Sequence, residues 1–193
     1  MNVQPILDHF ANYAPLDELE SKELTSRLSE RTIKRKQFIL QEGDVCKHYT
    51  FVVEGCFRMY KVDKKGNEHN LQFSIENGWV GDIDSFHNEK PSELYIEAME
   101  PSVILQLEKP DLLYLYIHYL KFNRNFRVLI ENAFISLQKR VLQNISATAE
   151  EKYVDFMNKH PNLFNRISNV QIASYLGVTP EFLSKIRRGL SSK

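Results

Sequence analysis

The spacing of hydrophobic positions along the chain changes twice, and each change predicts a different kind of secondary structure. Leu16–Ser29 carries leucines at helical intervals among charged residues and follows Pro15, which predicts a helix. After Arg31 the hydrophobic residues fall into short runs rich in β-branched and aromatic side chains, with glycine-containing turns between them. The predicted strands are Thr32–Leu40, Tyr49–Glu54, Phe57–Val62, Glu68–Ser74, Tyr95–Ala98 and Val103–Leu107. Such regular short strands favour a small antiparallel barrel or jelly roll.

Beyond Pro110 the pattern becomes helical again. Asp111–Tyr119, Asn123–Ile145 and Glu150–Lys159 are the predicted helices, and Ser146–Ala149 between the last two is a predicted hinge. The middle helix would be about 33 Å long, which is more than a small barrel needs for its own cover. Its apolar stripe therefore favours a dimer interface, and simple packing on the barrel is the alternative.

The end of the chain, Ser168–Lys193, has the pattern of two short helices joined by a tight turn. Gly177 stands where a helix often ends in a left-handed residue, and Thr179 with Pro180 can start the next helix. The apolar positions that can pack the two helices together are Ile172, Leu176, Leu183 and Ile186. This pattern predicts a helix-turn-helix, whose second helix enters the DNA major groove. A helical hairpin that serves packing alone is the competing interpretation.

Charge favours the DNA interpretation. The whole chain has a net charge of zero, but the segment from Arg166 onward contains a single acidic residue, Glu181. Its basic residues are Arg166, Lys185, Arg187, Arg188 and Lys193. Such asymmetry indicates that this end meets a polyanion.

Composition limits the number of domains and the cellular location that the sequence can indicate. The chain has 193 residues, 42% hydrophobic and 26% charged, which suits two modest domains. No apolar run approaches the roughly 20 residues of a membrane helix, and the N-terminus lacks signal-peptide order, so we expect a cytoplasmic protein without membrane contact. Cys46 and Cys56 lie ten residues apart, without metal-site spacing. The sequence predicts no bound metal and no cofactor.

Several segments together resemble the CRP/FNR family of bacterial transcription regulators. They are FILQEGD (Phe38–Asp44), YTFVVEGCFRMYKVDKKGNEHNLQFS (Tyr49–Ser74), WVGDI (Trp79–Ile83) and QIASYLGVTPEFLSKIRR (Gln171–Arg188). The compact form looks like the short members from Bacteroidetes-type bacteria. The resemblance implies an α+β fold and a homodimer that binds pseudo-palindromic DNA.

The resemblance also implies a division of the chain. Residues 1–121 would form a cyclic-nucleotide-binding-like sensor domain, residues 122–145 a long dimerisation helix, and residues 146–193 the helix-turn-helix domain. Because five residues follow Arg188 in this sequence, we expect the wing of the DNA-binding domain to be truncated or absent.

In this family the start of the second helix reads base edges. The matching residues and their neighbours are Thr179, Pro180, Glu181, Ser184, Lys185, Arg187 and Arg188. Glu181 could accept from a cytosine amino group, and Lys185 could donate to guanine. Arg187 and Arg188 are expected to contact phosphates. Pro180 departs from the family's usual basic residue.

The effector pocket of the family maps to Gly81, Asp82 and Ser92. Gly81 and Asp82 fit the half of the motif that holds a ribose, but Ser92 replaces the arginine that pairs with the cyclic phosphate. Glu93 follows it, and no Arg or Lys lies between Lys90 and Glu108. We therefore predict no cyclic AMP binding. The pocket would hold another small-molecule effector or nothing.

Other functions are less well supported by the residues. An iron–sulfur sensor would need four cysteine ligands, and the chain has two. His48, His69 and His87 are better explained as surface or strand residues than as haem ligands. Asp82 and Asp84 could form an acid–base pair, but no nucleophile, phosphate loop or metal triad accompanies them, so we predict no catalytic residues and no enzyme activity. A protein-interaction adaptor or small-molecule sensor that keeps the fold without DNA binding is the remaining alternative.

Overall fold

The computed structural model describes residues 1–163 and 165–191, so Lys193, part of the predicted basic balance, lies outside the described residues. The N-terminal helices are α1 (Gln4–Ala11) and α2 (Glu18–Arg27). The strands with their one intervening helix are β1 (Ser29–Ile33), β2 (Phe38–Leu40), β3 (His48–Glu54), β4 (Phe57–Val62), β5 (Glu68–Ser74), β6 (Trp79–Val80), α3 (Ile83–Asn88), β7 (Tyr95–Ala98) and β8 (Ser102–Glu108). The remaining helices are α4 (Lys109–His118), α5 (Leu120–Ser146), α6 (Ala149–Lys159), α7 (Asn169–Leu176) and α8 (Pro180–Ser191).

The strands form two four-stranded sheets, in the orders β1-β8-β3-β6 and β2-β7-β4-β5. In the first sheet β8 pairs antiparallel with both β1 and β3, and Phe51 lies opposite Leu105. Both of these side chains are fully buried, since their strands turn one face inward. The predicted α+β class with an antiparallel jelly-roll-like domain is confirmed.

The prediction of one strand over Thr32–Leu40 is wrong. The chain forms β1 up to Ile33 and then β2 from Phe38, and the two strands belong to different sheets. Lys36 between them adopts a positive φ of 65°, a left-handed conformation that no extended strand accommodates. The elements α1, β6 and α3 were not part of the predicted pattern.

Contacts divide the chain into two compact units. The first unit comprises Met1–Met59 and Phe73–Ala133, and the second comprises Tyr60–Gln72 and Phe134–Lys193. The core of the first unit contains aromatic rings packed edge to face around Trp79, among them Phe51 at 5.2 Å and Phe126 at 5.4 Å between centroids.

His9 joins this aromatic core and makes the first unit sensitive to pH. Its Nε2 accepts a hydrogen bond from Trp79 Nε1 at 3.3 Å, and burial lowers the pKa of His9 below its usual value of 6.5. The unfolded chain therefore binds this proton at a higher pH than the folded chain does, so stability must fall as the pH drops below about 6.5.

We expect His9→Gln to reduce the loss of melting temperature between pH 7.5 and pH 5, because glutamine can accept a hydrogen bond but does not titrate. Burial also lowers the pKa of His48 and His160, so part of the pH dependence should remain. Exposed His87 provides the control variant H87Q. A curve for H9Q that parallels the wild-type curve would contradict the prediction.

Candidate nucleic-acid interface and effector site

The turn of the predicted helix-turn-helix is built by Gly177. It ends α7 in a left-handed conformation with φ of 71°, and its N–H donates to the carbonyls of Ala173 and Ser174. At the other end of α7, Ser168 and Gln171 form a capping box that fixes the first turn.

The start of α8 is fixed in a similar way. Thr179 Oγ1 accepts from the N–H of Phe182 at 3.2 Å, and Pro180 occupies the first helical position. Leu183 is fully buried, as is Ile172 on α7, whereas Ile186 is half-buried. Packing on this apolar side leaves the opposite side of α8 to solvent.

The exposed side of α8 carries the predicted DNA-reading groups. Glu181, Ser184, Lys185 and Arg188 are all exposed, as is Thr179 before them. Ser184 Oγ donates back to the carbonyl of Pro180 at 2.9 Å, so its lone pairs remain for a donor on DNA. The structure thus places a carboxylate, a hydroxyl, an ammonium and a guanidinium on one helix face.

Arg187 occupies a different environment from the other predicted contacts. It is half-buried, and its Nη1 donates to Asn169 Oδ1 on α7. The contact ties the two helices of the motif together. Arg187 therefore has a structural task in addition to any contact with phosphate.

Phe182 is a further interface candidate, which the sequence pattern did not predict. Its side chain is 48% exposed beside Glu181, although an aromatic residue normally turns inward. An exposed ring at the start of a recognition helix can contact the methyl group of thymine. The sequence could have indicated this exposure, because Phe182 precedes Leu183 by one residue and so does not share its position on the buried face of α8.

In the first unit the structure brings two of the predicted effector-pocket residues together. Ser92 Oγ donates to Asp82 Oδ2 at 2.6 Å, and Asp82 Oδ1 caps α3 by accepting from the N–H groups of Asp84 and Ser85. Both carboxylate oxygens of Asp82 therefore already accept hydrogen bonds from the protein. Gly81 precedes this cap and lines a cavity of only about 10 Å³.

A buried ion pair in the same unit was also missed. The guanidinium of Arg58 on β4 donates to Glu97 Oε2 on β7, from Nε at 2.9 Å and from Nη2 at 2.6 Å. Both side chains are at most 10% exposed. A carboxylate of the protein thus already engages this guanidinium.

The long helix α5 exposes large apolar side chains along its second half. With their exposed fractions, they are Ile130 (40%), Phe134 (57%), Ile135 (45%), Leu137 (55%), Val141 (50%), Leu142 (63%) and Ile145 (79%). The steps from Ile130 through Phe134 and Leu137 to Val141 are four, three and four residues, which is the spacing of a coiled-coil seam. Contiguous exposed apolar surface of this kind marks an interaction site.

Comparison with known proteins agrees with this architecture. Residues 30–119 match the family described as cyclic nucleotide-binding domain. FixK2 from Bradyrhizobium japonicum is 17% identical with a TM-score of 0.75, over 86% of this chain and 85% of that one. The c-di-GMP-responsive regulator CLP from Xanthomonas campestris is 12% identical with a TM-score of 0.73, over 91% and 92%.

A structure assigned to the CRP/FNR family from Eubacterium rectale is 16% identical with a TM-score of 0.69, covering 92% of this chain and 84% of that one. None of the curated protein sequences compared with the chain matches it. The protein is thus a cyclic-nucleotide-binding-type domain followed by a long helix and a helix-turn-helix. This is the fold of the CRP/FNR transcription regulators, so the predicted resemblance to them is confirmed at the level of the fold. No helix in the described ranges combines the length and hydropathy of a bilayer span.

Proposed function

We propose that this protein is a sequence-specific DNA-binding transcription regulator that acts in the cytoplasm as a homodimer on pseudo-palindromic sites. The observation that carries the proposal is the exposed polar face of α8, fixed by the Gly177 turn and the Thr179 cap. That face presents base-reading and phosphate-binding groups together, as a recognition helix requires.

Each exposed group has a distinct task in this proposal. Glu181 accepts from a cytosine amino group and Lys185 donates to guanine, since these pairs match in the major groove. Arg188 binds phosphate and contributes affinity without sequence information. Phe182 adds an apolar contact to a thymine methyl group.

In this proposal the homodimer forms through α5. Its seam from Ile130 to Val141 would pack against the same seam of another copy, as the self-complementary interface of a two-fold dimer demands. Two recognition helices about 34 Å apart would then read one palindrome. In this arrangement residues 1–121 are the sensor domain, 122–145 the dimerisation helix and 146–193 the DNA-binding domain.

We further propose that cyclic AMP is not the effector. The carboxylate of Asp82 already accepts hydrogen bonds from Ser92 and from the first turn of α3. The cavity beside Gly81 is far smaller than the roughly 300 Å³ of a typical small-molecule pocket. An effector of other chemistry would have to act from the sensor domain through α5 to the hinge at Ser146–Ala149.

Selection from genomic DNA tests the proposed function directly. The purified protein is incubated with fragmented genomic DNA at about 150 mM salt, where non-specific binding is weak, and the retained fragments are sequenced. We expect enrichment of a site with two-fold symmetry. Fragments with no common sequence, retained with and without added cell extract, would contradict the proposal.

Lys185→Ala and Arg188→Ala should separate base reading from phosphate binding. We expect Lys185→Ala to cost about 1–3 kcal/mol on the selected site and to relax preference at one base pair, because a base-edge donor is lost. Arg188→Ala should weaken binding to all sequences and lower the salt slope by about one. Titrations of matched and mismatched duplexes check this, with Lys139→Ala on α5 as the control. Equal loss by K185A on every sequence would refute base reading.

A further inference from the structure

The second unit contains an unusual contact between a sheet edge and the helix-turn-helix. Strand β5 is the last strand of its sheet, so among the described residues one side of its backbone has no neighbouring strand. Ser174 on α7 meets that side: its Oγ donates to the carbonyl of Glu68 at 2.7 Å and accepts from the N–H of Asn70 at 3.0 Å. One serine hydroxyl therefore satisfies two backbone groups of an open sheet edge.

Two further bonds hold the β4–β5 hairpin in place. Asn70 Nδ2 donates to the carbonyl of Gln171 at 3.2 Å, and Arg140 Nη1 on α5 donates to the carbonyl of Leu71. The Arg140 guanidinium also lies 4.6 Å from the centre of the Tyr175 ring on α7. The contact is polar, and each of its hydrogen bonds contributes modestly to the docked state because water replaces it on release.

The docked arrangement also carries a penalty. Asn70 is 3% exposed, and its Oδ1 has no hydrogen-bond partner among the described residues. A buried acceptor in this state costs free energy that hydration would recover once the hairpin moved away. The contact is therefore suited to being made and broken rather than to permanent packing.

The docked hairpin stands beside the DNA-reading end of α8. Asn67, Glu68 and His69 line one wall of a cleft of about 710 Å³, and Thr179 and Pro180 line the other. A recognition helix must enter a groove about 8.5 Å deep, with a phosphate strand on either side of it. The hairpin lies beside Thr179 and Pro180 at the end of α8 that would enter this groove, so it would lie close to one of those phosphate strands.

We propose that the β4–β5 hairpin is an autoinhibitory latch on the helix-turn-helix, which must release Ser174 before α8 can bind DNA. This proposal rests on the proposed DNA-binding function. In this proposal the affinity for DNA depends on whether Ser174 is bound to the open edge of β5.

The decisive variant is Ser174→Ala, compared with Ser136→Ala on α5 as the matched control. We expect S174A to bind the genomically selected duplex about 5- to 30-fold more tightly than wild type in fluorescence anisotropy, because two bonds of the docked state are lost. Ser136→Ala should leave the affinity unchanged. Unchanged or weaker binding by S174A with a native circular dichroism spectrum would overturn the latch.

A reversible cross-link tests the same idea in the opposite direction. In the double variant E68C, S174C, a disulfide would hold the hairpin on α7, while the native Cys46 and Cys56 are buried. We expect the oxidised form to bind DNA at least about tenfold more weakly than the reduced form, with full recovery on reduction. Equal affinity of a fully cross-linked and a reduced sample would overturn the proposal.

The experiment separates the latch from the function on which it rests. If wild type binds a selected site and neither variant changes the affinity, the latch is wrong and the regulator stands. If S174A alone selects a site, the latch is supported. If wild type, S174A and the reduced double variant all fail to select DNA, the proposed function itself fails.

Discussion

Replacing Glu97 by leucine should lower the free energy of unfolding by about 3–5 kcal/mol, because the buried guanidinium of Arg58 would lose the carboxylate to which its Nε and Nη2 donate. The pair is well desolvated, with both side chains at most 10% exposed and two short bonds to one oxygen. Urea denaturation followed by circular dichroism measures the change.

The double variant Arg58→Met, Glu97→Leu provides the control for this prediction. It removes both charges and keeps apolar volume, so we expect most of the lost stability to return. A cost below about 1 kcal/mol for E97L would mean that the pair contributes little. A double variant as unstable as E97L would show that the loss comes from packing at residue 97 and not from the charge on Arg58.

Introducing glutamate at Leu137 should convert the proposed homodimer into a monomer and lower affinity for a full palindrome by about 100-fold or more. Leu137 lies in the middle of the α5 seam and is 55% exposed in a single chain. A carboxylate there would be buried against a second copy without a partner, and binding of the second half-site would no longer be intramolecular.

Asn132→Glu is the matched control for Leu137→Glu, because it adds the same charge about 140° away around α5. Sedimentation equilibrium should give twice the 22.7 kDa chain mass for wild type and N132E, and the single-chain mass for L137E. A monomeric wild type, or an L137E variant that remains dimeric, would contradict the assigned seam.

The elements that the sequence predicted well are those with strong local signals. α5 and α6 meet at the predicted hinge, where Thr148 caps α6 with Glu151 as its capping-box partner. Gly177 and Thr179 likewise define the turn of the helix-turn-helix by their own backbone preferences. Helix periodicity and capping act over a few residues, so one sequence is enough to find them.

The elements that were missed depend on distant residues or on very short segments. β6 has two residues, Trp79 and Val80, which is too few for any alternation to appear. Arg58 meets Glu97 across 39 positions, and Ser174 meets Asn70 across 104. No local pattern encodes such pairs, since the fold alone brings them together.

For the candidate DNA interface too, the sequence predicted the local features but not the contacts between distant residues. The polar face of α8 follows from its helical period, and Glu181, Lys185 and Arg188 lie together on the exposed side. The second contact of Arg187, with Asn169, follows instead from how α7 crosses α8. The occupied state of Asp82 depends on Ser92 folding back on it, ten positions later.

The position of Trp79 provides a spectroscopic probe without any labelling. It is the chain's single tryptophan, and it packs against Phe10, Phe51 and Phe126, which belong to the first unit. Tryptophan emission therefore follows the melting of that unit alone, whereas far-ultraviolet circular dichroism follows the helices of both units. Two superimposable melting curves would show a single cooperative molecule, and two separated curves would measure how independently the helix-turn-helix end unfolds.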